Sequence, residues 1–423
     1  MKSCPRVFTM RERNTILYKA LQERLKTVLP AAMEENDIDM WIIICQEDDL
    51  DPVYKTMIPM ATWCPILQIL VLYHGGKGEI EGINLSRTNT GDLYDRPWSG
   101  SENSEQWEML AEVVKERDPR RIGINIGSIE WAAGGLTHNL YLKLTKALPQ
   151  GYAKRLVSAE VAATRWLASL TDREIELFEH VVDVADFILS DTFSWSCIIP
   201  GHTTIEDLQW YYWQKAADLG MDVSFKPGFY LFRSDADKAR YPEGDAVLRP
   251  GDYVRCDVGI TYLRLNSDHQ RWVYIRRPGE TLPPVGMQKL MAEANRLQDV
   301  YLSGFERGRT GNELLSRILA AARDAGIQNP KVYSHSLGFC LHEPGPLIGL
   351  PWEQARCEGR GEVRLDYGNA FTMELSIEDT VPEWNNQNVR FALEEDVVFT
   401  RDGCRVVGER QREFYLTSIS TVR

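Results

Sequence analysis

Two aspartates, one histidine and two glutamates of this chain stand in or beside sequence that reads as buried strand. Asp257 closes the run Tyr253-Val254-Arg255-Cys256-Asp257-Val258-Gly259, which follows an Arg249-Pro250-Gly251-Asp252 turn, and Asp268 comes 11 residues later in a Ser267-Asp268 step. His335 lies in Tyr333-Ser334-His335-Ser336-Leu337, Glu374 in Phe371-Thr372-Met373-Glu374, and Glu394 just ahead of Asp396-Val397-Val398. Taking a carboxylate out of water is costly without a partner, so a fold that gathers these groups in one interior must supply compensating positive charge. Divalent metal ions supply it. Four carboxylates and one imidazole make a mostly hard-oxygen site, suited to Mn²⁺ first, with Co²⁺, Zn²⁺ or Fe²⁺ as the other choices. Carboxylates shared between two ions would hold them about 3.5–4 Å apart. Taken singly, each residue also has a plain structural reading: an Asp at a strand end serves a turn, and a Glu beside Val-Val faces water.

The chain has 423 residues, 43% of them hydrophobic, which suits two domains of the usual ~150-residue size. Lys and Arg number 48 against 61 Asp and Glu, a net charge of −13 that argues against nucleic acid and anionic membrane surfaces as partners. Met1 to Arg13 is polar and charged, and no apolar run approaches the ~20 residues of a membrane span, so a soluble cytoplasmic protein is expected. Eight cysteines are scattered without a Cys-x-x-Cys pair, which fits neither a disulfide framework nor a zinc ribbon. There is no Gly-rich phosphate loop in a strand-to-helix setting and no Gly-x-Ser-x-Gly elbow.

Apolar residues at helical spacing between Asn14 and Glu35 (Ile16, Leu17, Leu21, Leu25, Val28, Leu29) lead into a continuous apolar run, Met40 to Cys45, of strand length. Further strands are expected at 66–73, 79–84 and 121–126, and helices at 105–115 and 136–148, making the first third an α/β domain. A second unit begins near Thr171, where Thr171 and Glu174 form a capping box before a helix carrying Ile175, Phe178, Val181, Val184 and Ile188. The expected domains are therefore 1–168 and 169–423. Within the second, Gly201-x-Thr203-x-x-Glu206-x-Leu208 recurs as Gly308-x-Thr310-x-x-Glu313-x-Leu315, each copy closing on a glycine, Gly220 and Gly326. Thr as cap, Glu completing the box and Gly as stop suggest two related halves.

The ordered set is what resembles a family. Asp-x-Gly, an Asp 11 residues on, a His followed seven residues later by His342-Glu343-Pro344, then Phe-Thr-x-Glu, then a Glu six residues before a Thr, are similar to the pita-bread metallopeptidases. That family includes methionine aminopeptidase, Xaa-Pro aminopeptidase and prolidase, with creatinase as a metal-free cousin. The resemblance spans about residues 170 to 415, and the leading α/β domain resembles the N-terminal domain of the Xaa-Pro aminopeptidase and creatinase branch. It implies an α+β pita-bread domain with internal pseudo-twofold duplication, and a homodimer. Carried over by position, it implies that Asp257 chelates one of two divalent ions, Asp268 and Glu394 bridge both, and His335 with Glu374 completes the second. Glu374 would also act as general base, and His342 would hydrogen-bond the substrate or the tetrahedral intermediate. The implied function is removal of the N-terminal residue from short peptides. The alternatives are cleavage of a C–N bond in a small charged metabolite, and a binding homologue that kept the fold and lost catalysis.

Two departures from the family pattern qualify the resemblance. Peptidases of the family carry a histidine in a His-Tyr-x-Pro setting where this chain has Arg240-Tyr241-Pro242. A guanidinium stays protonated, so Arg240 could bind an anionic group of the substrate but could not shuttle protons. The family also has an Arg two residues before the last Glu, whereas Arg390 stands four before Glu394. If that Arg set the register, Ala392 would fall on the ligand position, and Glu395 is the fallback to Glu394. Alternation along a strand points only one of the adjacent pair inward. His269, next to Asp268, should point the other way, and Trp210-Tyr211-Tyr212-Trp213 suits a core face or a subunit contact.

Overall fold

The computed structural model describes residues 3–76, 79–342 and 344–417. Glu343, the middle of the His-Glu-Pro step, lies outside them. Two compact units emerge among the described residues: Phe8–Glu174 with 344–345, and a larger one built from Ile175–His342, 346–417 and 3–7.

In the smaller unit the helix Met10–Glu35 is opened by a capping box of Thr9 with Glu12 and buries Leu17, Leu21, Val28 and Leu29. It feeds the strands β1 (Met40–Gln46), β2 (Leu67–His74), β3 (Ile80–Asn84), β4 (Ile122–Ile124) and β5 (Leu156–Ser158), arranged β3-β2-β1-β4-β5. β1 is buried from Met40 to Cys45, as its unbroken apolar run requires of a strand covered on both faces. It pairs parallel with β4 and antiparallel with β2. The Thr171–Glu174 box forms, Glu174 accepting from the Thr171 amide at 2.9 Å. The same carboxylate pairs with the buried Arg24 at 2.8 Å.

The larger unit contains β6 (Asp222–Val223), β7 (Gly228–Phe232), β8 (Tyr253–Val258), β9 (Ile260–Tyr262), β10 (Leu265–Asn266), β11 (His269–Ile275), β12 (Lys331–Leu337), β13 (Leu347–Ile348), β14 (Asn369–Thr372), β15 (Glu374–Val381), β16 (Gln387–Leu393), β17 (Asp396–Thr400), β18 (Gly403–Val406) and β19 (Tyr415–Thr417). Among the described residues they form three sheets, β10-β9-β6, β19-β11-β8-β7 and β16-β15-β12-β14-β17-β18, with β13 added beside β12. The core between the sheets and their helices is aromatic, Trp272 stacking on Phe391 with ring centroids 4.5 Å apart and planes at 9°.

The duplication is visible in detail. Each half runs from a long helix, Asp172–Thr192 or Val285–Ser303, to a capped one, Ile205–Asp218 or Gly311–Asp324. Gly201 and Gly308 both adopt positive φ and donate to the carbonyls of Leu248 and Leu365 at 2.7 and 2.8 Å. The first capping box sits one residue later than the sequence pattern suggests: Thr204 caps with Asp207, not Thr203 with Glu206. Thr203 is otherwise engaged, its hydroxyl donating to the Cys197 carbonyl and accepting from the Ile199 amide, both at 2.9 Å. Thr310 and Glu313 form the second box as expected. On the first capped helix Tyr212 is buried, while Trp210 and Trp213 stack on each other outside.

Candidate metal centre

The spacing of the two aspartates follows from a hairpin. After β8 the chain turns at Leu263 and Arg264, both with positive φ (52° and 62°), the twist a two-residue hairpin loop needs. β10 returns along β9, so Asp268 arrives beside the strand that carries Asp257. Gly259 allows the crossing: a Cβ there would lie 1.9 Å from the Ser267 carbonyl oxygen. Ser267 closes the loop, its hydroxyl accepting from the Ile260 amide at 3.1 Å. On β11 Gln270 stands directly opposite Asp257.

The other three groups come from the largest sheet. His335 is buried in β12, and Glu374 opens β15 opposite Tyr333. Glu394 follows β16, whose register with β15 pairs Leu393 with Leu375. Donor atoms of Asp268, His335 and Glu394 all lie within 4.8 Å of one another. His335 Nε2 is 3.6 Å from Asp268 Oδ2, while its Nδ1 lies 3.2 Å from the Ser336 carbonyl oxygen. A carbonyl can only accept, so Nδ1 carries the proton and Nε2 turns a lone pair toward the carboxylates, the orientation a metal ligand needs. Glu374 joins the group through Gln270, whose amide nitrogen donates to Glu374 Oε1 at 3.0 Å and Glu394 Oε2 at 2.8 Å.

Electrostatics show how far the cluster is from self-sufficiency. Burial pushes Asp257 up to about 6, against the pull of Arg255. Glu374 is pushed up to about 7 by burial and then by the charge of Asp257. Asp268 and Glu394 are raised well above the carboxylate range, first by burial and then by their acidic neighbours. Burial, then His342, lowers His335 to about 3, keeping it neutral. Asp268 Oδ1 is buried without a hydrogen-bond partner. A carboxylate oxygen left over, a neutral imidazole with its lone pair inward and four acids that resist joint ionisation fit divalent cations.

Around the cluster, the His342 ring centroid is 4.5 Å from that of His335, and burial followed by Arg360 holds His342 in its neutral form. Tyr333 lies 5.4 Å from His335 between ring centroids. Burial and the charges of Glu374, Glu394 and Asp268 keep its hydroxyl protonated. Gln270, Tyr333, Arg255 and Arg360 were not singled out from the sequence. Arg255 alone had a readable signal, since residues 255 and 257 of one strand share a face.

Other residues weighed from the sequence fall elsewhere. Glu395 is buried on the opposite side from Glu394, paired with Arg271 at 2.7 Å and accepting from the Gln411 amide at 2.8 Å. Ala392 is a core residue. Arg390 is exposed and donates to Ser376 Oγ at 3.2 Å. His269 is buried, its ring nitrogens 4.0 Å from Asp186 and from Asp396. Arg240 has a side chain 71% exposed, ion-paired with Asp237 at 3.3 Å, which makes it a surface cation in this structure.

Residues 176–401 match the model of metallopeptidase family M24. The chain belongs to that family and has its pita-bread fold, preceded by an N-terminal domain. Similar solved structures include an X-Pro aminopeptidase from Thermotoga maritima, with a TM-score of 0.63 and 17% identity over 91% of this chain and 99% of that one. An Xaa-Pro dipeptidase from Bacillus anthracis has a TM-score of 0.61 and 17% identity over 94% and 99%. A prolidase from Pyrococcus furiosus has 0.52 and 18% over 92% and 99%. At such identities these likenesses carry the fold. No curated protein matches the chain.

Proposed function

We propose that the protein is a metal-dependent exopeptidase that releases the N-terminal residue of short peptides with proline in second position. The observation that carries this reading is the convergence of Asp268, His335 and Glu394, with Glu374 tied to the same point by the Gln270 amide. Asp257, Asp268, His335, Glu374 and Glu394 would hold two divalent ions, Mn²⁺ first among them. When bound, such ions lower the pKa of a coordinated water and polarise the scissile carbonyl.

The protein groups then have separable tasks. Glu374, held by the Gln270 amide beside the other ligands, would take a proton from the coordinated water and return it to the departing amine. His342, exposed beside His335 and with its pKa lowered by burial of the ring and by Arg360, offers a hydrogen bond to the substrate carbonyl or the tetrahedral intermediate. Tyr333 keeps its proton and adds a donor on the same side as His335. Arg240 has no part in this reading. All eight cysteines are free, in keeping with a reducing compartment such as the cytoplasm, and a homodimer is the proposed assembly.

The test is release of the first residue from Xaa-Pro peptides after loading with Mn²⁺ or Co²⁺. Turnover should disappear with chelator and with Glu374→Gln. Folded protein that cleaves none of these peptides with any divalent ion refutes the proposal.

A further inference from the structure

Behind the centre lies a second set of charged groups that has no task in the scheme above. Asp268 faces the other ligands, so His269, the next residue, turns away from them, and it is buried. Its Nδ1 lies 4.0 Å from Asp396 Oδ2, and its Nε2 lies 4.0 Å from Oδ1 of Asp186, on the helix Asp172–Thr192. The same Asp186 oxygen is 3.5 Å from Arg271 Nη2, and Arg271 also pairs with Glu395 at 2.7 Å. Asp186, His269, Arg271 and Asp396 are each at most 2% exposed.

The two ends of this chain of charges rest on the backbone of the two carboxylates expected to bridge the ions. Asp396 accepts from the Asp268 amide, at 3.2 Å through Oδ1 and 3.3 Å through Oδ2. Arg271 Nη1 donates to the Glu394 carbonyl at 2.9 Å. Charged groups are costly to bury, and well-packed apolar side chains would hold the same space as stably or more so. Asp186 and Asp396 also add negative charge behind a centre that already gathers four acids, so cohesion does not account for them. What they supply, and an apolar core cannot, is directed bonding to one amide and one carbonyl. A carboxylate shared between two ions must present both oxygens within about 0.5 Å of their places, which makes the position of its backbone decisive.

We propose that Asp396 and Arg271, linked through His269 and Asp186, are positioning residues that set the backbone of Asp268 and Glu394 for joint binding of two ions. This rests on the dinuclear reading of the centre. The test is calorimetric titration of Mn²⁺ into chelator-treated protein, with electron paramagnetic resonance to read the magnetic coupling between paired ions. Asp396→Val, close in shape but without an acceptor, should bind Mn²⁺ about 10- to 100-fold more weakly and lose the coupling. Asp396→Asn, whose amide oxygen can still accept from the Asp268 amide, should recover part of both. Asp186→Asn, two links from the nearer ligand, should lower affinity about 3- to 10-fold, and the double variant with Asp396→Val should lose no more than Asp396→Val alone, because one chain is broken only once. Unchanged affinity and coupling in Asp396→Val with a lowered urea midpoint would reduce these residues to packing and overturn the proposal, as would losses that add. Should Asp396→Val not fold, Asp186→Asn decides: affinity within about twofold of wild type overturns the proposal. No step uses a peptide, so wild-type protein that binds coupled Mn²⁺ but cleaves nothing sinks the peptidase reading alone. Wild-type protein that binds no pair of ions sinks both.

Discussion

Replacing Gln270 with leucine tests whether the acidic centre is organised from outside its ligands. The amide nitrogen of Gln270 donates to Glu374 Oε1 at 3.0 Å and Glu394 Oε2 at 2.8 Å, and the residue is buried. Leucine fills much of the same space without a donor, so the change removes the two bonds while leaving little cavity. Each hydrogen bond to a charged acceptor is worth about 1.5–3 kcal/mol, which sets an upper bound of about 6 kcal/mol for the pair. The carboxylates recover part of this by settling onto bound cations. The expected loss is the ten- to hundredfold in metal affinity typical of groups that orient ligands, or about 1.4–2.8 kcal/mol. Calorimetric titration of Mn²⁺ into chelator-treated protein, with chelator competition if binding is tight, reads this directly. The number of sites should stay the same while the affinity falls. Affinity within twofold of wild type would refute the reasoning.

Metal-free protein should lose stability as pH rises. Asp257 is pushed up to about 6 and Glu374 to about 7, above their values in the unfolded chain. Groups with raised folded pKa stabilise fully below the unfolded value near 4 and lose that contribution as pH climbs through the folded one. Melting temperatures of chelator-treated protein should therefore fall between pH 5 and pH 8, and saturating Mn²⁺ should offset the fall. Melting that rises with pH without metal contradicts the assignment. Glu394→Gln should abolish high-affinity Mn²⁺ binding. Glu395→Ala should keep the metal but cost up to about 3 kcal/mol in urea denaturation, because it leaves the buried Arg271 charge with Asp186 alone, 3.5 Å away. The reverse pattern would move the last ligand to Glu395.

What the sequence disclosed depended on whether chemistry or pairing decided the outcome. Met40 to Cys45 was legible because only a covered strand tolerates six consecutive apolar residues there. Asp257, Asp268, His335, Glu374 and Glu394 drew notice as an ordered set that resembles a family's motifs, since each alone has a plain structural reading, and the structure brings donor atoms of Asp268, His335 and Glu394 within 4.8 Å of one another. Gln270 was not: an amide in a strand has no periodic signature, and its acceptors lie 104 and 124 residues away in the chain. The choice between Glu394 and Glu395 needed the register of β16 on β15, which alternation alone does not give. Thr203 and Thr204 each have an acid three residues on, so the box was ambiguous until the Thr203 hydroxyl found Cys197. Arg240 stood at the expected place in the motif. The short helix Asp235–Lys238, capped by Ser234, carries the chain into a turn where Asp237 captures it outside.

The centre lies on a seam, which explains why its neighbours are as specialised as its ligands. Asp257 lies on β8 and Asp268 just ahead of β11, whereas His335 and Glu374 lie on β12 and β15 and Glu394 follows β16, where it bridges to Gln270 of β11. Like charges gathered from two sheets push them apart, so the seam must be closed by something other than the acids. The Gln270 amide donates to the Glu394 carbonyl at 3.2 Å, Arg271 Nη1 to the same oxygen at 2.9 Å and the Trp272 indole to the Ala392 carbonyl at 2.7 Å. The Asp268 amide donates to Asp396 Oδ1 at 3.2 Å. Three consecutive residues of β11 thus bind the chain around Glu394, and Trp272 adds its stack on Phe391. The seam is closed by backbone acceptors and aromatic packing, bonds that do not involve the cations. Metal binding then relieves repulsion in an existing fold instead of creating the fold, and chelation should disarm the centre without unfolding the chain.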